Sequence, residues 1–148
     1  MVNDIISRSL STAGYPTISE PAYVTDNVRP DGITKSSFYG GKSLAWDVTF
    51  LHLLCSSYLH IAKTKSAVAN SCENKKRTKY AALMSKYEFA PIAIESFGSY
   101  GDSAIDVIRL IGKKLNQRFG DQKASSQLRQ KISLTLQKGN AAIMKFSL

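Results

Sequence analysis

Ser43-Leu44-Ala45-Trp46-Asp47-Val48-Thr49-Phe50 alternates large apolar side chains with small or polar ones at every step. A period of two admits essentially one local structure, a strand that buries Leu44, Trp46, Val48 and Phe50 and holds Asp47 and Thr49 together on its other face. Gly40-Gly41 supplies a turn before it. Upstream, Arg29-Pro30-Asp31-Gly32 fixes the backbone at Pro30, and a strand from there toward Phe38 returns through the glycines, bringing Asp31 beside Asp47. Two carboxylates on neighbouring strands suggest a metal site. The same residues also admit a plainer reading, in which Pro-Asp-Gly is a surface turn and Asp47 is simply solvated.

The rest of the chain falls into short elements. Ile5, Ile6, Leu10 and Ala13 describe an amphipathic helix that ends at Gly14, with Pro16 beyond it. Residues 17–24 read as an extended segment whose Pro21 suits a sheet edge. After Phe50 the run through His52 and Cys55 to Tyr58 has no definite period, and neither His52 nor His60 belongs to a catalytic pattern. A helix over 67–87 has the stripe Ala69, Cys72, Lys76, Tyr80, Leu83, Tyr87. Lys76 interrupts that stripe, either snorkelling outward or supplying a charge where one is needed. Phe89 to Glu95 reads as a strand with Ile92 and Ile94 on one side and Ala93 and Glu95 on the other. Residues 98–102 then start a helix with Ile105, Ile108, Leu110 and Ile111, closed by Lys113 and Lys114 at its C-terminal end. A last helix over 124–138 carries Leu128, Ile132, Leu134 and Leu136 and breaks at Gly139-Asn140.

A length of 148 residues fits one domain with its own core. Cys55 and Cys72 lack metal-ligand spacing and read as buried thiols of a reducing compartment. Without a long apolar run or a basic-then-apolar leader, the expected setting is intracellular, with no membrane partner. The net charge of +9 favours polyanions, and the lysines and arginines after Gly112, with Lys75-Lys76-Arg77 and Lys79, form basic helical surfaces. Solubilisation accounts for such surfaces equally well.

Taken in order, Arg29-Pro30-Asp31-Gly32-Ile33-Thr34, then Gly41 through Asp47-Val48-Thr49, then Lys76 four residues before Tyr80, is similar to the restriction-like endonuclease segment at the C-terminal end of some non-long-terminal-repeat retrotransposon polyproteins. The resemblance runs over most of the chain. It implies an α/β fold of PD-(D/E)xK type, a small central mixed sheet flanked by helices, with residues 1–98 as the nuclease core and 99–148 as basic C-terminal helices. It implies a metal-dependent DNA endonuclease, nuclear if derived from a retrotransposon, with RNA as an alternative partner. Asp31 and Asp47 would hold Mg²⁺ or Mn²⁺, hard cations that take oxygen ligands. Thr49 stands where the general motif has lysine, and the resemblance implies that Lys76 on the following helix replaces it, orienting water or stabilising the phosphate. Glu20 and Glu95, each on an expected strand, are further candidates for the acidic cluster. The upstream reverse transcriptase and cysteine-rich finger of those polyproteins are not in this sequence, so the expectation is an endonuclease module or fragment. The alternative is a catalytically inactive nucleic-acid-binding fragment of the same fold.

Overall fold

The computed structural model describes residues 1–22, 28–51, 66–96 and 98–147, with side chains as far as 138. The expectations for residues 23–24, for the run beyond Leu51 with His52 and Cys55, and for His60 lie outside the described residues. The order is α1 (Val2–Thr12), β1 (Thr17–Ser19), β2 (Gly32–Tyr39), β3 (Lys42–Leu51), α2 (Ala67–Lys79), a 3₁₀ turn at Ala81–Leu83, β4 (Tyr87–Glu95), α3 (Asp102–Phe119) and α4 (Ala124–Ser147). The strands form one mixed sheet in the order β1-β2-β3-β4: the first two pairings are antiparallel, and β3 with β4 is parallel. Helices flank this sheet on both faces. Among the described residues no helix is long and apolar enough to cross a membrane.

The hairpin follows from its turn. Tyr39 pairs with Lys42 across Gly40 and Gly41, whose φ values of 58° and 78° are the pair of positive angles that a two-residue hairpin turn demands. The pairing of β2 with β3 slips between Ile33 and Ser37. There the buried Thr34 hydroxyl accepts the Leu44 N–H at 2.9 Å and donates to Ser36 O at 2.8 Å, satisfying backbone groups at the irregularity. Gly32 does not lie in a turn. It opens β2 opposite Trp46, and a Cβ there would collide with the Trp46 ring, so glycine is required by packing.

One sheet face carries Leu44, Trp46, Ala90, Ile92 and Ile94 against Val2, Ile6 and Leu10 of α1, Val107, Ile108 and Ile111 of α3, and Leu128 and Ile132 of α4. Trp46 is fully buried, with its indole N–H bonded to Asn3 Oδ1 at 2.6 Å. The other face packs Ala45 and Phe89 under Tyr80 and Leu83, and Leu51 and Ala93 under Val68 and Ala69. A strand covered on both faces cannot show the expected burial of alternate residues: Ala45 and Asp47 are buried as well, while Phe50, near the strand end, is exposed.

Several helix boundaries differ from the sequence reading. α2 stops at Lys79, because Tyr80 and Leu83 turn under the sheet through the 3₁₀ segment, and Tyr87 belongs to β4. Lys113 and Lys114 fall within α3, which continues to Phe119 before Gly120 caps it at φ 69°. α4 runs through Gly139-Asn140 to Ser147 without a break, and Leu134, expected inside, is exposed. Where α3 and α4 cross, Gly112 lies so close that a Cβ would come within 2.7 Å of Ser125 Cα.

Candidate active site

Asp31 precedes β2, and its backbone extends the ladder, its N–H bonding Trp46 O at 2.9 Å. One carboxylate oxygen accepts the Val48 N–H at 2.7 Å. The side chain is thereby turned along β3, near enough to Asp47 for the two carboxyls to repel. Asp47 is only 6 % exposed, on the face that α2 covers. Lys76 reaches it from α2, placing Nζ 2.9 Å from Asp47 Oδ2. The Tyr80 hydroxyl, one turn further, is 3.4 Å from Asp47 Oδ1 and 3.3 Å from Arg29 O. Thus two acids, one lysine and one phenol from three separate stretches of sequence meet at one point on the sheet.

The electrostatics reflect that crowding. Burial, followed by repulsion from Asp47, raises Asp31 above the ordinary carboxylate range, against the opposing Val48 hydrogen bond and the Lys76 charge. Burial alone would lower Lys76, but the hydrogen bond and charge of Asp47 together outweigh it, and the ammonium is held above its usual value. Tyr80 is also raised, by burial and then by the Asp47 charge. The cluster therefore carries a charged lysine and, in Asp31, an acid whose ionised form is disfavoured. Thr49, in the place of the general motif lysine, is half-buried and offers no positive charge.

Glu20 and Glu95 do not join this group. Glu20 lies beyond β1 at φ 48°, exposed, and its bonds there are through its backbone: its N–H to Asp31 O at 2.8 Å, and its carbonyl from Arg29 Nη2 at 3.0 Å. Glu95 shares the face of Asp47, but Asp47 pairs with Pro91, and four residues of strand set Glu95 about 13 Å further along. Its carboxylate caps α2, accepting the Ala69 N–H at 3.1 Å.

Sequence reasoning missed Glu73, buried at 3 % exposure one turn before Lys76. Its carboxylate accepts N–H groups from Ala93 (3.1 Å), Ser103 (2.9 Å) and Ala104 (3.1 Å), tying α2 to β4 and to the first turn of α3. Burial still raises it above the ordinary carboxylate range. Its sequence signal is an acid beside an otherwise apolar stripe, three residues before the lysine. The Tyr80 hydroxyl was legible only through its spacing from Lys76.

Asp31 and Asp47 together suit a hard cation, since Mg²⁺ commonly takes one or two carboxylates and keeps waters and phosphate oxygens for its other positions. They do not suit a closed all-protein cage: among the described residues no group of three or more His, Cys, Asp or Glu side chains is arranged to hold a metal. Neither a scan against known family models nor a search of curated proteins gives a match to this chain.

Proposed function

We propose that the chain is a metal-dependent endonuclease module of the restriction-like, PD-(D/E)xK type, hydrolysing phosphodiester bonds in DNA. The observation that carries this reading is the Lys76–Asp47 contact beside Asp31, because it brings a lysine from the next helix to the acid pair whose own strand offers only Thr49. Asp31 and Asp47 would hold Mg²⁺ or Mn²⁺, and the ion when bound would supply charge compensation for the phosphate and a more acidic water. Lys76, kept protonated by Asp47, presents a compact positive charge to a phosphate oxygen or an attacking water. Tyr80 holds the opposite Asp47 oxygen and so fixes the carboxylate plane. Around them Lys75 and Lys79 add exposed positive charge on α2.

The test is nicking of supercoiled plasmid with Mg²⁺ and with EDTA, comparing wild type, Lys76→Ala and Lys79→Ala. Cleavage should require the metal, fall at least about a hundredfold in Lys76→Ala and persist in Lys79→Ala. Lys76→Ala also strands the buried Asp47 charge, so assays belong at a temperature where circular dichroism shows both variants folded. Equal cleavage by wild type and folded Lys76→Ala would remove Lys76 from the chemistry. DNA binding with no metal-dependent cleavage by wild type would favour the inactive binding fragment.

A further inference from the structure

The α1, α3 and α4 layer carries its own groove, of about 260 Å³, between α1, the end of α3 and the start of α4. Arg8, Thr12, Gln127 and Lys131 line it together with Phe119. Phe119 closes α3 and is 59 % exposed, a large aromatic left in water, with the Arg118 guanidinium 5.3 Å from its ring centre. Asp121 also lines the groove, its Oδ1 accepting the Lys123 N–H at 2.9 Å, so the lining sets two cations, Arg8 and Lys131, against one acid. The sheet separates this groove from the carboxylates, since the three helices cover the Trp46 face while Asp47 faces α2.

We infer that this groove binds a single-stranded polynucleotide, with one base stacked on Phe119 and the neighbouring phosphates on Arg8 and Lys131. Charge complementarity selects a polyanion, and the exposed ring selects an unpaired base, because stacked bases in a duplex offer no free face. The inference extends the nucleic-acid reading above but needs no cleavage, and a strand held here leaves the Asp31–Asp47 face open.

Fluorescence anisotropy in EDTA, using short labelled oligothymidylate, oligouridylate and a duplex of equal length, tests it on the full chain. Phe119→Ala should weaken binding of the single strands about tenfold and of the duplex by less than about twofold. Arg8→Ala with Lys131→Ala should flatten the salt dependence for single strands by a slope of about 1.4. Arg109→Ala with Lys138→Ala removes the same charge outside the groove and should leave that slope near wild type. The thymidylate and uridylate arms name the preferred sugar, and dependence on Phe119 in either supports the groove. Single-strand binding unchanged in Phe119→Ala, equal losses on duplex and single strand, or a control that loses as much as the groove variant would overturn it. Because no arm measures cleavage, its failure is distinguishable from failure of the nuclease reading.

Discussion

Asp31 and Asp47 share one lysine between two acids, and that imbalance makes a prediction at single-residue resolution. Burial and repulsion raise Asp31. A folded state that holds a proton more tightly than the unfolded chain is favoured as pH falls, and loses that advantage as pH rises through the raised folded pKa. Asp31→Asn removes the loss: its oxygen can still accept the Val48 N–H while its neutral amide no longer repels Asp47. In EDTA at neutral pH, Asp31→Asn should melt a few degrees above wild type, with the gap closing toward acid pH, as thermal denaturation followed by circular dichroism will show. Magnesium should reverse the order, because a cation bound only by the native pair stabilises it by mass action. A wild-type Tm indifferent to magnesium would argue that the pair holds no cation.

At the scale of elements, α2 owes its place to anchoring more than to an apolar face, since only Val68, Ala69 and Glu73 of its thirteen residues are buried. Two carboxylates do the anchoring. Glu95 caps its start, and Glu73 binds β4 and the N-terminus of α3 from its middle. A carboxylate has acceptors for all three N–H groups that meet Glu73, whereas a glutamine must turn an N–H toward at least one of them. Glu73→Gln should therefore destabilise the fold by about 2 kcal/mol in urea denaturation. It should also free α2 enough to let the Lys76 pKa fall back toward its usual value, read by NMR titration of the lysine side chain. A Glu73→Gln protein as stable as wild type would show that the three bonds are replaceable, by water or by relaxation of α2.

For the whole molecule, whose net charge is +9, exposed lysines and arginines lie on both helical layers, among them Lys75 and Lys79 on α2, Arg8 on α1 and Lys131 on α4. Some of these groups are already engaged with rings: Lys114 lies 5.5 Å from the Tyr15 ring centre and 5.7 Å from that of Phe38, and Arg129 lies 5.8 Å from that of Tyr100. Enough exposed lysine and arginine remains for several phosphate contacts. Duplex DNA binding should weaken steeply with salt, with a log–log slope steeper than about −3, and should vary little with sequence. Anisotropy titrations on two unrelated duplexes, from low to physiological salt, check both points, and a flat salt response would reject the electrostatic mode.

The sequence by itself determined the hairpin, because a period of two and a Gly-Gly turn leave the strand pair little freedom, but it offered the meeting of Asp31 with Asp47 only as one of two readings, and the slips in the β2–β3 register decided it. It also placed Lys76 and Tyr80 one turn apart on a helix, which is a matter of spacing alone. Tertiary structure decided the rest. Whether Glu95 joined the acids or capped α2 depended on parallel pairing with β4, which no local pattern carries. Glu73 was hidden because its partners are backbone N–H groups, identical in every residue but proline and left free as donors only where α3 begins and along the edge strand β4. The end of α2 at Lys79 and the continuity of α4 through Gly139 were likewise beyond local propensity: packing of Tyr80 and Leu83 beneath the sheet ended the first helix, while the glycine did not end the second. Burial on both faces of β3 erased the alternation that had revealed it, since covering the Asp47 face with α2 made small and acidic residues part of the interior.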